Sequence, residues 1–103
     1  MNYFFHPEAR QELIDAIHYY NECGSGLGYI FMDEVQASID RIIQHPNAWS
    51  KLSKNTRRCL TRRFPYGVIY QEINGDILII AIMHLKRKPG YWEDRLDLSL
   101  QKK

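Results

Sequence analysis

The residues best suited to chemistry in this chain are a set of cations and one histidine. Between positions 51 and 63 stand Lys51, Lys54, Arg57, Arg58, Arg62 and Arg63, with no acidic residue among them. Guanidinium groups bind phosphates and carboxylates bidentately, so the stretch fits contact with a nucleic acid or an acidic protein surface. It also fits a solvated loop and strand edge, because Lys and Arg discourage edge-to-edge pairing. Strict alternation would put Arg62 on the same side as Leu60 and Phe64, an odd place for a purely solvating charge. A second cluster, Met83 to Trp92, offers His84, Lys86, Arg87 and Lys88, then Tyr91 and Trp92. A histidine beside fixed cations suits RNA cleavage by 2′-OH attack, which needs proton transfer and charge stabilisation at the phosphorane. The plainer reading is a structural histidine closing an apolar strand. Tyr91 and Trp92 could stack on bases, but they fit anchoring of the C-terminus to the core better.

Other chemistries find little support. His6, His18 and His45 are scattered, there is no HExxH motif, and Cys23 and Cys59 form no CxxC pair, so no metal or other cofactor is expected. Two unpaired cysteines read as thiols in a reducing compartment. The carboxylates are too dispersed for a paired-acid hydrolase. Gly24-Ser25-Gly26-Leu27-Gly28 resembles a phosphate-cradling loop only in its glycines. It follows a helix rather than a strand and lacks the Gly-Lys-Ser/Thr ending, so a turn between helices is the better reading.

The elements that must position these residues follow from hydrophobic period. Asn2 to Phe5 forms a short strand with Tyr3 and Phe5 on one side. Pro7 suits the first position of a helix and Glu8 its first turn. Ala9, Leu13, Ile17 and Tyr20 then recur at three- and four-residue spacing, predicting a helix near 7–22. Past the Gly-rich turn, Phe31, Val35, Ile39, Ile42 and Ile43 make a second apolar stripe that ends before Pro46. Neither helix can bury its stripe alone, so a sheet must cover the hairpin. Leu60 to Phe64, Tyr66 to Ile73 and Ile77 to Leu85 are rich in β-branched and aromatic residues, and Asn74-Gly75-Asp76 supplies a hairpin turn between the last two. Ile77 to Met83 is apolar on both parities, as a central strand covered on both faces would be. Pro89-Gly90 stops the pattern, and Tyr91 to Leu96 forms a terminal turn or short helix. The expected fold is α+β, in the order β-α-α-β-β-β, with the helical hairpin packed on a small antiparallel sheet.

Length and charge bound the rest. At 103 residues the chain reads as a single domain, 1–103. No apolar run approaches a membrane span, and the N-terminus MNYFFHPEAR is neither a signal core nor a transit peptide, so a cytoplasmic protein is expected. The net charge of +2 conceals a sorting: residues 1–50 carry a net −5 and residues 51–103 a net +7. The sign changes near Pro46, between helices and sheet. A cationic face centred on Arg57 to Arg63 and His84 to Lys88 is expected, with a polyanion or an acidic protein as its partner.

Several segments, taken in order, resemble the RelE/ParE superfamily of bacterial toxins from type II toxin–antitoxin pairs. They are Phe5-His6-Pro7-Glu8-Ala9, Tyr19-Tyr20, Gly28 to Phe31, Arg57-Arg58, Phe64-Pro65-Tyr66 with Ile69-Tyr70, and His84 through Arg87-Lys88-Pro89 to Trp92 and Arg95. The likeness runs nearly end to end. It implies a growth-inhibiting toxin of a plasmid-stabilisation module, held inactive by a co-encoded antitoxin. The long hairpin, the Phe-Pro-Tyr motif and the spacing of His84, Arg87, Pro89 and Trp92 look more like the ParE-type group, which implies binding to DNA gyrase. The RelE-type alternative implies a metal-independent endoribonuclease acting on mRNA in the ribosome. Arg62 and Arg87 would then stabilise the phosphorane, and His84 or Tyr91 would transfer protons. Lys51, Lys54, Arg57, Arg58, Arg63, Lys86, Lys88 and Trp92 would contact the target or the antitoxin.

Overall fold

A computed structural model describes residues 1–97. The chain forms β1 (Tyr3–Phe5), α1 (Pro7–Cys23), α2 (Leu27–Gln44), β2 (Ser50–Ser53), β3 (Thr56–Leu60), β4 (Tyr66–Ile73) and β5 (Asp76–His84), then a short 3₁₀ turn at Glu93–Arg95. The five strands make one sheet in the order β1-β5-β4-β3-β2. The α+β hairpin-on-sheet expectation holds, with two refinements. β1 pairs with β5 in parallel, whereas every other pair is antiparallel. The sheet also includes β2 at Ser50–Ser53, a short stretch outside the expected strands whose side chains are all exposed. Pairing with β3, not propensity, makes it a strand.

Local chemistry starts and stops the helices. Pro7 opens α1, and His6 caps it, its Nδ1 accepting from the Glu8 N–H at 3.1 Å. Gly24 closes α1 by donating its N–H to the Tyr20 carbonyl at 3.1 Å. Gly26, at φ 78°, gives the left-handed step into α2. Gly28 then lets the two helices touch. A Cβ there would stand 2.6 Å from the Asn21 side chain, whose Oδ1 accepts the Gly28 N–H at 2.8 Å. α2 ends at Gln44, one residue before the pre-proline His45.

Ala9, Ala16, Phe31, Val35, Ile39 and Ile42 pack on one face of the sheet against Cys59, Val68, Tyr70, Ile77, Ile79 and Ile82. The opposite face carries Ile69, Ile80, Ala81 and Met83, covered by Trp92 with Tyr91 and Leu96. β5 is thus buried on both faces, as its unbroken apolar run requires. It reaches both with an irregularity. Ile69 pairs with Ala81 but Tyr70 pairs with Ile79, so Ile80 is an extra residue and the face of every later side chain is reversed.

The strand expected at Leu60–Phe64 is corrected to Thr56–Leu60. Pro65 has no N–H for a ladder. Thr61 instead closes a loop, its hydroxyl donating to the Phe64 carbonyl at 2.7 Å and its N–H to the Tyr66 carbonyl at 3.0 Å. Phe64 turns into an aromatic cluster, with ring centroids 4.8 Å from Tyr20 and 5.1 Å from Phe31. Arg62, expected beside Leu60 and Phe64 on a strand face, is an exposed loop residue.

Candidate functional site

Parallel pairing of β1 with β5 stops early. β1 reaches Phe5↔Ile79, and His6 adds one last bond, donating its N–H to the Ile79 carbonyl at 2.9 Å. Beyond that point α1 departs and the bulged stretch of β5 would present bare backbone. Two side chains take over. The Ile80 carbonyl accepts from Arg95 at 3.1 Å, and the Ile82 N–H donates to Glu12 at 3.0 Å. Glu12 and Arg95 therefore continue, as an ion pair, the edge that β1 leaves unfinished.

Glu12 gathers most of what the sequence placed at this end of the sheet. Its Oε1 also accepts from Arg95 at 2.9 Å, and its Oε2 accepts from Arg95 and Arg87, each at 3.1 Å, and from the Tyr91 hydroxyl at 2.7 Å. The Arg87 guanidinium lies 3.7 Å from the centre of the Tyr91 ring, a cation–π contact. Glu12 keeps 14% of its side-chain exposure and Arg95 7%, whereas Arg87 keeps 53%. Burial and the Glu12 hydrogen bond both push the Tyr91 phenol well above its usual range. Burial alone would disfavour charge on Arg95, but the Glu12 hydrogen bond and charge outweigh it and raise the Arg95 pKa. Glu12 and Arg95 are charged, largely desolvated and paired, with Arg87 at the exposed rim, so the assembly holds residues 87–95 against α1.

Glu12 is the residue that sequence reading missed. The signal was present: it falls between Ala9 and Ala16 on the apolar stripe of α1, where a carboxylate needs a buried partner.

Of the four residues of the endonuclease alternative, His84 and Arg87 line one groove, Tyr91 joins them through Glu12, and Arg62 stands apart. Tyr91 and Arg87 are occupied by Glu12. His84 lines a groove of about 290 Å³ with Glu12, Asp15, Tyr19, Tyr66 and Arg87. Its Nδ1 accepts the Lys86 N–H at 3.0 Å, so in neutral imidazole the proton sits on Nε2. Its ring packs edge-on to Tyr66 at 5.1 Å. Arg62 is held toward the other helix, its backbone N–H donating to Glu34 of α2 at 2.7 Å.

The fold also divides the cations. The loop carrying Arg62 and Arg63 meets the segment carrying Lys86 and Lys88 at the His84 end of the sheet, where the Leu85 N–H donates to the Pro65 carbonyl at 2.9 Å. Lys51, Lys54 and Arg57 instead line a recess of about 390 Å³ at the opposite end, beside the Asn74-Gly75 turn. Arg57 and Arg58 are neighbours on β3 but face opposite ways, opposite Tyr70 and Ile69 respectively. The Arg58 stem lies across Gly67, where a Cβ would come within 3.0 Å of it. Trp92, 5% exposed, belongs to the core of the far face. Among the described residues, no group of three His, Cys, Asp or Glu side chains gathers as a metal would need, and no helix is long and apolar enough to cross a membrane.

Comparison with known proteins agrees with this architecture. Residues 3–89 match the family model described as the ParE toxin of the type II toxin–antitoxin system parDE. Toxin ParE2 of Mycobacterium tuberculosis, from strains CDC 1551 / Oshkosh and ATCC 25618 / H37Rv, is 29% identical over 93 residues, covering 89% of this chain and 89% of the relative. A chain from a structure titled "Chromosomal ParDE TA system from P. aeruginosa" superposes with a TM-score of 0.72 at 14% identity, covering 84% of this chain and 97% of that one, and so shares the fold. The match spans the helical hairpin and all five strands, and the chain belongs to the ParE toxin family of type II toxin–antitoxin systems.

Proposed function

We propose that this toxin arrests growth by binding an essential target, DNA gyrase, rather than by cutting RNA, and that a co-encoded antitoxin silences it. The gyrase assignment follows from the family resemblance. The observation that carries the binding mechanism is the engagement of Glu12 with both Arg87 and Tyr91. An endonuclease needs a cation free to meet the phosphorane and a group able to give or take a proton near neutral pH. Here the tyrosine is pushed away from that range and its hydroxyl is bound to a carboxylate. Arg87 is paired with that same carboxylate, which would repel an incoming phosphate.

The antitoxin is expected to present apolar anchors together with acidic residues, against a half of the chain that carries net +7. Complementary charge speeds encounter more than it sets affinity, so added salt should slow association. A supercoiling assay with gyrase and a translating extract mapped for new mRNA 5′ ends, both run on one preparation free of antitoxin, test the mechanism. Supercoiling should be blocked and no new ends should form. New ends that disappear with Arg87→Ala would instead establish the endoribonuclease.

A further inference from the structure

The recess at the Asn74 end of the sheet contains a feature that the fold does not compensate. Lys51 of β2 stands directly across from Arg57 of β3. Like charges placed opposite one another in an antiparallel pair destabilise it. Lys54, on the turn that follows β2, adds a third cation to the same lining. Among the described residues none of the three takes part in an ion pair. Lysines on an edge strand are common protection against unwanted pairing, and by themselves they would mean nothing more. Arg57 is different. It lies on an inner strand, and one of its terminal nitrogens donates to the Trp49 carbonyl at 2.8 Å. That neutral acceptor orients the guanidinium without cancelling its charge. Among the described residues Glu72 is the single carboxylate lining the recess.

On the other side of the same β-turn lies a second recess of about 300 Å³, lined by Phe4, Ile73, Ile77 and Leu78 with Asn74 and Asp76. Asn74 lines both recesses. Phe4 is 55% exposed there. A cationic hollow and an apolar hollow thus meet across one turn.

We infer that this end of the sheet docks an acidic peptide segment of a protein partner, with carboxylates received by Lys51, Lys54 and Arg57 and an aliphatic side chain by the Phe4–Leu78 recess. A nucleic acid fits less well. It would want exposed aromatic faces for stacking and a continuous cationic track. Among the described residues the one aromatic ring in the cationic recess, Tyr70, is 1% exposed with its hydroxyl bonded to the Pro46 carbonyl, and the exposed Phe4 ring stands in the separate apolar hollow, off the cationic lining. The identification of that partner as the antitoxin rests on the toxin–antitoxin reading above; the docking chemistry does not.

The test uses purified full-length toxin and two fluorescent probes: a short end-blocked peptide alternating Glu with Leu, and an oligothymidylate of matched charge. The peptide should bind more tightly than the oligothymidylate. Lys51→Glu and Lys54→Glu should each weaken peptide binding about tenfold, while Arg10→Glu, an equal change in net charge on exposed α1, should leave it unchanged. A peptide with Ser in place of Leu should also bind more weakly. Equal affinity for all three variants, tighter binding of the oligothymidylate, or indifference to the Leu-to-Ser exchange overturns the proposal. Far-ultraviolet dichroism confirms that each exposed-site variant is folded. Growth arrest and its relief by the neighbouring gene product test the toxin reading without involving this recess, so the two can fail separately.

Discussion

Removing the Glu12 carboxylate should be the most damaging single change outside the apolar core. In Glu12→Ala, five hydrogen bonds lose their acceptor at once. They are not equal. Arg87 is half exposed and can turn to water, so its loss amounts to only about 0.5–1 kcal/mol. Arg95 is 7% exposed and retains, among the described residues, the Ile80 carbonyl, a 3.5 Å approach to the exposed Glu8 carboxylate and a cation–π contact at 5.1 Å with the Tyr91 ring. Leaving one member of a buried pair uncompensated costs about 3–5 kcal/mol. The orphaned Ile82 N–H and Tyr91 hydroxyl push the total toward the upper end of that range. A domain of this length has only about 5–15 kcal/mol to lose. Urea unfolding at neutral pH should therefore show a midpoint lowered by roughly a third or more, with residues 85–97 becoming sensitive to protease first. Glu12→Gln, which keeps one acceptor but no charge, should fall between. The double variant Glu12→Leu/Arg95→Met should be much closer to wild type than the sum of the singles, because replacing both charges removes the desolvation cost as well as the attraction. A loss below about 1 kcal/mol for Glu12→Ala, or strict additivity in the cycle, would refute the view that this pair closes the open edge of β5.

Three further outcomes follow from the geometry. Gly28→Ala should destabilise the hairpin by about 1–3 kcal/mol, because the new methyl would collide with Asn21 and the Ile17 carbonyl; a thermal midpoint unchanged from wild type would refute the close approach. Tyr70, whose phenol burial pushes up to about 12, should make the fold sensitive to alkali. Its folded pKa lies above the unfolded value of 10.0, so this stability is intact below pH 10 and is lost as pH rises through about 12. Unfolding followed across that window should show a shallower loss in Tyr70→Phe, and identical slopes would contradict the assignment. Lys51→Glu should raise stability by about 0.5 kcal/mol by turning a like-charge cross-strand pair into an attractive one, and an unchanged or lower urea midpoint would mean that Lys51 and Arg57 do not face each other.

Much of this architecture was legible in the chain because it rests on local rules. The apolar stripes of α1 and α2, the pre-helical Pro7 and the Gly-rich turn specify the hairpin through period and capping. Asn74 at φ 51° and Gly75 at φ 84° adopt the left-handed conformations that an Asn-Gly turn signals. The errors lie where a partner strand or side chain decides. Ser50–Ser53 is a strand only because β3 lies beside it. Leu60–Phe64 carries strand-like composition, yet Pro65 and the Thr61 loop bend it so that Phe64 can join Tyr20 and Phe31. The bulge at Ile80 left no trace in a run that is apolar on both parities.

The sequence by itself determined the first strand, the helical hairpin and the last two strands, the separation of charge between helices and sheet, and the family resemblance. All of these are properties of short segments or of sums over them. Only the tertiary structure decided what the charges do. Arg87 and Tyr91 look like catalytic residues in a linear reading because nothing nearby in the chain opposes them. Folding brings Glu12 to them from 75 and 79 positions away. That one carboxylate converts a cation and a phenol from reagents into fastenings. Likewise Lys51 and Arg57 are merely two of six cations until strand register sets them face to face. Electrostatic energy depends on distance and burial, and neither is a property of sequence separation.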